Sequence, residues 1–291
     1  IDKEKRGGGF SAWLGDVYVD EAITAMLDKA QGRGIISMDY SSFDSSLSVI
    51  LLNAVDSVLK SWFTLEGQRR IDLLATISNT VPLVVPWDLV LVGRNGGMPS
   101  GSVLTNLRDT LANLIAGEYI GLRWNNPLIR YEVLGDDGVF LFDKDLSPEK
   151  VSSTVAELGL ESNPEKQFIS RESVHYLQRW HSLKYKRDGL SRGVRSPYRA
   201  LTGLTGYERW REGWTKYLDT ARWIMQIENC KNHPRFPEVV QFLRDGDSLL
   251  RSGEDPVSIF RKAGGAEVIR SVLSIASFPF NDRTQTHPTH H

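Results

Sequence analysis

Three aspartates stand where predicted sheet elements end, and they are the first candidates for chemistry. Asp39 ends a predicted strand over residues 35–39, and Asp136 with Asp137 occupies the tip of a predicted hairpin. Carboxylates at such positions are costly to bury without a partner, so we expect them to attract cations. Hard divalent ions bind carboxylate oxygens, and two such ions can hold the attacking and leaving oxygens of a phosphoryl displacement. The pattern therefore favours nucleotidyl transfer with two Mg²⁺ or Mn²⁺ ions as cofactors.

Each of these signals has a plain structural alternative when it is taken alone. The Gly-Asp-Asp run at 135–137 is also typical of a tight turn, and Asp44 can simply cap the helix that follows it. The Ser-Gly pair at 100–101, followed by Thr105, is likewise typical of a helix N-terminus. Their order along the chain, on a strand end, a loop with its helix, and a hairpin, favours the catalytic interpretation.

The elements that must position these residues form an α+β pattern, with helices expected on one side of the sheet. Apolar residues at helical spacing predict a helix with one buried face: Leu47, Ile50, Leu51, Ala54, Val55, Val58, Leu59 and Trp62. A glycine-rich loop at 93–101 leads into a helix whose polar stripe holds Thr105, Asp109 and Asn113. The remaining predicted elements are a helix over 20–30, a hairpin over 129–142, a helix over 147–159 and a strand over 167–170. A mainly helical unit is predicted from about residue 196 onward.

Composition is that of an ordinary globular protein, with 41% apolar and 24% charged residues in 291. The length predicts roughly two domains. A lone cysteine, Cys230, cannot form an internal disulfide, which favours a cytosolic chain. The longest apolar stretch, at 81–92, is interrupted by two prolines and an aspartate, so we expect no membrane crossing. The chain begins at Ile1 without a secretory signal, and we expect a fragment of a longer chain.

The net charge of −1 conceals a basic segment at 171–235, which contains 14 Lys or Arg and only 6 Asp or Glu. Four tryptophans lie in the same segment. Basic residues interleaved with aromatic ones suit a sugar-phosphate surface. The alternative is a solvated helical surface with many salt bridges.

Three motifs resemble motifs A, B and C of viral RNA-dependent RNA polymerases. They are Asp39-Tyr40-Ser41-Ser42-Phe43-Asp44, Gly97-Met98-Pro99-Ser100-Gly101 with Thr105, and Gly135-Asp136-Asp137. The sequence that flanks these motifs is most similar to polymerases of picobirnaviruses and related partitivirus-like double-stranded RNA viruses. The resemblance covers residues 10–182. It implies a polymerase palm, an antiparallel sheet of ferredoxin-like type packed on helices, with a helical thumb and with fingers largely absent. The implied domains are a palm with part of the fingers at 1–182 and a thumb at 183–280, before a disordered tail at 281–291.

The resemblance also implies a role for each acid of motifs A and C. Asp39 and Asp136 coordinate the two metal ions and Asp137 supports them. The backbone carbonyl of Tyr40 is a further ligand. Asp44 senses the ribose 2′-hydroxyl of the incoming nucleotide.

Selection of ribose is implied to pass from Asp44 through the motif B residues Ser100, Gly101 and Thr105 to the residue one turn later. Many relatives carry Asn at that last position, whereas this chain has Asp109, with Asn106 nearby, and either can make the contact. A site built to hydrogen-bond a hydroxyl rejects a substrate without it, because its own polar groups are left unpaired. We therefore expect ribose to be preferred over deoxyribose.

Two further motifs complete the resemblance. Lys166 matches the motif D lysine that protonates the departing pyrophosphate, and its alternative is an exposed surface lysine. Residues 176–182, with Gln178 and Arg179, stand where motif E positions the 3′ end of the primer.

The implied partners are an RNA template, a primer or nascent strand, nucleoside triphosphates and a viral capsid, in the host cytoplasm or inside the virion. Reverse transcriptase is a weaker alternative. Those enzymes usually carry an aromatic residue at the Asp44 position, and Tyr-x-Asp-Asp where this chain has Leu134-Gly135-Asp136-Asp137. A further alternative is an RNA-binding module or truncated enzyme. Lys3, Lys5 and Arg6 do not reproduce the basic motif F that polymerases place before motif A.

Overall fold

A computed structural model describes residues 9–85, 89–94, 96–205 and 214–265. The expected tail at 281–291 and the three basic residues near the start lie outside the described residues. The helices are α1 (Asp16–Ala30), α2 (Phe43–Ser46), α3 (Val49–Lys60), α4 (Leu65–Thr80), α5 (Thr105–Arg123), α6 (Pro148–Ala156), α7 (Pro197–Thr205), α8 (Lys216–Glu228), α9 (Phe236–Gly246), α10 (Ser248–Arg251) and α11 (Pro256–Lys262). The strands are β1 (Ile35–Met38), β2 (Leu83–Val85), β3 (Leu89–Leu91), β4 (Leu128–Leu134), β5 (Asp137–Phe142), β6 (Phe168–Ser170), β7 (Ser173–Tyr176) and β8 (Arg179–Ser182). The predicted α+β class is confirmed.

The chain divides into two compact units. One holds the residues up to 177 together with 181–191, and the other holds 178–180 and the residues from 192 onward. From α7 onward the described elements of the second unit are helices, with an apolar core built on α8 to α11. The assignment of palm and thumb to these units stays a prediction.

An antiparallel sheet in the order β4-β5-β1-β6 forms the centre of the first unit. β4 and β5 form a hairpin whose last pair is Leu134 with Asp137, so that Gly135 and Asp136 make the loop. In the neighbouring pair of strands, Met38 of β1 lies opposite Gly138 of β5. Because these two strands are antiparallel, the residue after β1 and the residues before Gly138 meet at one edge of the sheet.

Helices cover both faces of this sheet, so the expectation of a sheet covered on one side is wrong. Ile35 packs with the apolar face of α1, whereas Ile36 packs with α3, α5 and α6. On β5, Val139 and Leu141 pack on the same side as α1, whereas Phe140 and Phe142 pack on the side of α3, α5 and α6. Successive side chains of a strand point to opposite faces, and here both faces are apolar.

The helix predicted over 47–62 forms as α3, but its buried face is only half of the predicted set. Leu51, Val55 and Leu59 are buried, together with Leu52 beside them. The apolar residues on the adjoining face are exposed: Ile50, Ala54, Val58 and Trp62. The period identifies the helix, but an apolar stripe this wide does not show which edge of it meets the sheet.

Several local elements differ in extent from the predicted ones. α1 begins at Asp16 rather than near residue 20, and α4 with the β2–β3 hairpin was not predicted. Ser147 caps α6 as its sequence predicts, accepting a hydrogen bond from the Lys150 amide at 3.4 Å. Among the described helices, none combines the length and apolarity that a bilayer crossing requires.

A buried glutamate fixes the segment that precedes α1. Glu132 of β4 is 0% exposed, and its carboxylate accepts hydrogen bonds from the amides of Gly9 at 3.1 Å and Ser11 at 3.0 Å. The Ser11 hydroxyl donates to the same carboxylate at 2.6 Å. Hydrogen bonds to a charged acceptor are stronger than those between neutral groups, so this contact holds the segment at 9–13 against β4.

Candidate active site

The strand register brings Asp39 to the same edge of the sheet as Asp136 and Asp137. Asp39 and Asp136 are exposed, and Asp137 is half-buried. Burial, followed by the negative charges of Asp136 and Asp39, raises the pKa of Asp137 to about 6. Two carboxylates influence the pKa of a third in this way only when they lie near it. The three acids therefore converge, as the sequence predicts.

No cation neutralises this edge from within the part of the chain that the structure describes. Asp39, Asp136 and Asp137 form no ion pair with any described Lys, Arg or His. The described residues also contain no group of three or more acids, histidines or cysteines spaced to enclose a metal ion. Unneutralised carboxylates of this kind fit Mg²⁺, which completes its coordination with water and substrate oxygens rather than with a full protein cage.

Helix α5 holds the turn that carries Asp136. The amide of Gly135 donates to the hydroxyl of Thr110 at 2.8 Å. The side-chain amide of Asn113 donates to the carbonyls of Gly135 at 3.1 Å and Asp136 at 2.9 Å. Asn113 also accepts a hydrogen bond from the Tyr40 hydroxyl at 3.1 Å, and it is 0% exposed. One buried amide thus connects the chain after β1 to the turn after β4.

Asn113→Leu is expected to lower the free energy of unfolding by about 2–4 kcal/mol, because it leaves buried carbonyls and a hydroxyl without partners. Leucine matches asparagine in size, so little of the loss comes from a cavity. Urea denaturation followed by far-UV circular dichroism measures the change. Asn53→Leu, on the exposed face of α3, is the matched control and should shift the free energy by about 0.5 kcal/mol or less. Equal effects of the two substitutions would contradict the role given to Asn113.

Asp44 lies in the short helix α2 and is joined to the loop before α5. The hydroxyl of Ser100 donates to the Asp44 carboxylate, and the amide of Met98 donates to the Asp44 carbonyl at 2.7 Å. The amide of Gly97 likewise donates to the Leu47 carbonyl at 2.7 Å. Two predicted site residues, separated by 56 positions, are therefore in direct contact.

The loop before α5 requires glycine and is held by an arginine. Gly96 has a φ of +121°, and a Cβ there would lie 2.7 Å from the Leu47 carbonyl oxygen. The guanidinium of Arg94 donates to the carbonyls of Val81 at 3.2 Å and Gly97 at 3.3 Å, and also to that of Ser78. Gly101 also has a positive φ of +87°, but no atom lies within 4 Å of a Cβ built there.

Of the two residues that the sequence left open beside Asp44, Asp109 is the one that the structure brings near its carboxylate. Asp109 is 5% exposed, and burial, followed by the negative charges of Asp44 and Asp136, raises its pKa to about 8. Asn106 is exposed, and its amide oxygen accepts a hydrogen bond from the Trp13 indole at 3.2 Å. Thr105 is turned toward its own loop, with its hydroxyl donating to the Pro99 carbonyl at 3.0 Å.

Gln167 is a contact of Asp39 that the sequence analysis missed. Its amide donates to the Asp39 carbonyl at 2.9 Å, and its amide oxygen faces the Asp39 amide nitrogen at 3.4 Å. Burial, with a smaller contribution from Asp136, raises the pKa of the neighbouring Tyr40 far above its ordinary value, so its hydroxyl stays a donor to Asn113. No local signal marks Gln167, because 128 residues separate it from Asp39.

The residues of the two remaining predicted motifs form none of the hydrogen bonds described above. Lys166 is exposed in a 3₁₀ turn (Pro164–Lys166), one residue before Gln167. Tyr176 is buried at the end of β7, and the Gln178 amide oxygen accepts from Arg195 at 3.1 Å. Arg179 begins β8 and is half-buried. Their predicted roles toward pyrophosphate and primer stay predictions.

Comparison with known proteins finds relatives that cover most of the chain. A family model described as viral RNA-dependent RNA polymerase matches residues 16–233. The chain is 33% identical over 250 residues to a potential RNA-dependent RNA polymerase of human picobirnavirus, covering 84% of this chain and 46% of that protein. It is 30% identical over 162 residues to the RNA-directed RNA polymerase of Cryptosporidium parvum virus 1, covering 53% of this chain and 29% of that one.

Solved structures show the same likeness. The crystal structure of an insertion-loop deletion mutant of a human picobirnavirus RNA-dependent RNA polymerase matches with a TM-score of 0.81 and 30% identity. The match covers 91% of this chain and 54% of that one, so this chain spans about half the length of these relatives. The family model covers most of the chain, including every element that carries the converging acids. The chain therefore belongs to the viral RNA-dependent RNA polymerase family.

Proposed function

We propose that this chain carries the catalytic palm of a polymerase that synthesises RNA on an RNA template by two-metal nucleotidyl transfer. The observation that carries the proposal is the convergence of Asp39 with Asp136 and Asp137 at one open edge of the sheet. The genome that it replicates and transcribes is proposed to be viral double-stranded RNA, since a picobirnavirus polymerase is among the relatives. The palm is proposed to occupy residues 1–182 and the thumb 183–280.

The acids would hold two Mg²⁺ or Mn²⁺ ions, with the Tyr40 carbonyl as a further ligand. When bound, such ions lower the pKa of the attacking hydroxyl and neutralise charge on the transferred phosphate. Asn113 keeps the Asp136 turn in register with Tyr40, which fixes the separation of the ligand groups. Lys166 would donate a proton to the leaving pyrophosphate.

The incoming nucleotide would present its 2′-hydroxyl to the group formed by Asp44, Ser100 and Asp109. Asp44 and Ser100 are already in contact, so the polar groups are positioned before substrate arrives. Gly101 leaves open space beside Ser100, and Thr105 stabilises the loop that carries it. A nucleotide without the hydroxyl would leave these groups unpaired and would be incorporated more slowly.

The RNA template and the primer or nascent strand are proposed partners, together with nucleoside triphosphates. The basic segment at 171–235 supports binding of the sugar-phosphate backbone, with 14 Lys or Arg against 6 Asp or Glu. A viral capsid is proposed as a further partner, with activity in the host cytoplasm or inside the virion.

Primer extension on a primed RNA template tests the function. We expect incorporation of ribonucleoside triphosphates that requires Mg²⁺ or Mn²⁺ and stops when EDTA is added. The 2′-hydroxyl contact should favour ribonucleotides over deoxyribonucleotides by about 10²-fold or more in kcat/KM. A preference for deoxyribonucleotides would instead identify a reverse transcriptase. RNA binding without any extension would support the binding-module alternative and contradict the proposal.

A further inference from the structure

The strand pairing next to the acidic edge of the sheet is interrupted by a turn. β1 pairs with β6 as far as Ser37, which lies opposite Phe168. Pairing resumes beyond the end of β1, where Tyr40 lies opposite Ser162. Between these two pairs the first chain segment has two residues, whereas the second has five, at 163–167. The longer segment therefore has to leave the sheet, and it does so as a 3₁₀ turn.

The backbone amides of this turn form their hydrogen bonds within the turn itself. The amides of Lys166 and Gln167 donate to the carbonyls of Asn163 at 3.0 Å and Pro164 at 3.3 Å, respectively. The side-chain oxygen of Asn163 accepts from the Glu165 amide at 2.9 Å. Since each of these three amides has its partner in the turn, the turn does not offer them to the chain that follows β1.

The side chain of Gln167 binds the backbone of Asp39 at the interrupted position. Its amide nitrogen donates to the Asp39 carbonyl at 2.9 Å, and its amide oxygen accepts from the Asp39 amide at 3.4 Å. Residues that face one another in antiparallel strands exchange the same pair of bonds through their peptide groups. Gln167 is 8% exposed, and its amide nitrogen also donates to the Ser162 hydroxyl, which fixes its orientation. A side-chain amide thus holds Asp39 in the way that a facing peptide group holds a strand residue.

Two amide side chains therefore hold the two sides of the acidic edge. Gln167 holds the backbone of Asp39, whose carboxylate is exposed. Asn113 holds the carbonyl of Asp136 and the hydroxyl of Tyr40. Groups that orient metal ligands in this way are part of a metal site, and their loss typically lowers metal affinity by about 10- to 100-fold.

We propose that Gln167 is a positioning residue for divalent ions: by binding the Asp39 backbone, it keeps the Asp39 carboxylate in place beside Asp136. The inference rests on the proposed function, because the ions are those of nucleotidyl transfer. Gln167 contacts neither substrate nor ion in this role and acts only through Asp39. Its side chain also allows the turn that carries Lys166 to leave the sheet without releasing Asp39.

Asn126 provides a matched control at the other end of the β4–β5 hairpin. Its amide nitrogen donates to the Lys144 carbonyl at 2.8 Å, and its amide oxygen accepts from the Lys144 amide at 2.9 Å. It is 3% exposed, and Lys144 lies beyond the end of β5 that is remote from the acids. Asn126→Leu therefore removes the same pair of bonds from the same unit without affecting the acidic edge.

The first experiment measures binding of Mn²⁺ alone by electron paramagnetic resonance, counting only the binding that Asp136→Asn abolishes. In Gln167→Met, which keeps the length of the side chain but not its bonds, the Kd should rise about tenfold or more, and in Asn126→Leu it should equal that of the wild type. Ser162→Ala leaves Gln167 in place and removes the hydroxyl that orients it, so a smaller rise is expected. That variant decides the question if Gln167→Met does not fold. Equal rises in Gln167→Met and Asn126→Leu, no rise in the folded variants, or no such binding in the wild type would overturn the proposal.

The second experiment measures how RNA elongation depends on Mg²⁺. In Gln167→Met the half-saturating Mg²⁺ concentration should rise about tenfold, whereas KM for the ribonucleotide at saturating Mg²⁺ should stay within about twofold of the wild type. If Gln167 only stabilised the fold, its variant would need no more Mg²⁺ than Asn126→Leu, and that result would overturn the proposal. A chain that makes no RNA but binds Mn²⁺ with the expected dependence on Gln167 would contradict the polymerase function and support the positioning role. RNA synthesis with unchanged metal affinity in Gln167→Met would support the function and overturn the positioning role.

Discussion

Asp136→Asn is expected to reduce the rate of RNA elongation by about 10³-fold, which is the upper range for removal of one group that stabilises developing charge. The substitution keeps the shape of the side chain and removes its negative charge. Asp136 is exposed at the tip of the β4–β5 turn, so folding does not depend on its carboxylate. The backbone carbonyl that Asn113 binds is unchanged. The loss should therefore appear in kcat and in the Mg²⁺ concentration required, and the urea midpoint should be that of the wild type.

Asp143→Asn is the matched control for this prediction. Asp143 follows the other end of the same strand β5, is exposed and pairs with Arg33 at 3.4 Å. The same chemical change there should leave elongation within about twofold of the wild type, because exposed ion pairs contribute little. A wild-type rate in Asp136→Asn, or equal losses in both variants, would contradict the assignment of the metal ligands.

Asp56→Ala is expected to lower the free energy of unfolding by about 3–5 kcal/mol, since it leaves a buried guanidinium without its counter-charge. Arg108 is 0% exposed and donates to the Asp56 carboxylate at 2.8 Å. Its other contacts are weaker, at 3.4 Å to the Asn79 amide oxygen and 3.9 Å to the Met98 sulfur. Urea denaturation followed by far-UV circular dichroism measures the loss.

Two further variants show whether the buried charge causes this loss. Asp72→Ala removes the acid of an exposed pair with Lys60, also at 2.8 Å, and should cost about 1 kcal/mol or less. Replacing both Asp56 and Arg108 by Leu should cost less than Asp56→Ala alone, because no unpaired charge then remains in the core. If the double variant were the less stable, packing rather than charge would explain the effect.

The three acids and the strands that carry them could be predicted from sequence because both signals are local, whereas the expectation that the acids share one site came with the resemblance to polymerases. Asp39 follows four consecutive residues that are all buried in β1, and Asp136 lies in a two-residue loop between two strands. A strand, a turn and a helix cap each depend on residues a few positions apart. The α+β class follows from the order of such elements.

Contacts between distant parts of the chain could not be predicted in this way. Asn113 was visible as part of a polar stripe, but its bonds to Tyr40 and to the Asp136 carbonyl span 73 and 23 residues. Gln167 and Glu132 carried no signal, because their partners at Asp39 and Ser11 lie 128 and 121 residues away. Such pairs form only after the sheet and helices have packed.

By itself the sequence determined which residues can do chemistry and which local elements carry them, because periodicity and turn chemistry act over short distances. The tertiary structure alone decided which face of α3 is buried, that the sheet is covered on both sides, and that Asp109 rather than Asn106 is the residue whose pKa the charge of Asp44 raises. Each of these depends on how rigid elements pack against one another. That packing depends on contacts between side chains far apart in the chain, which no local pattern contains.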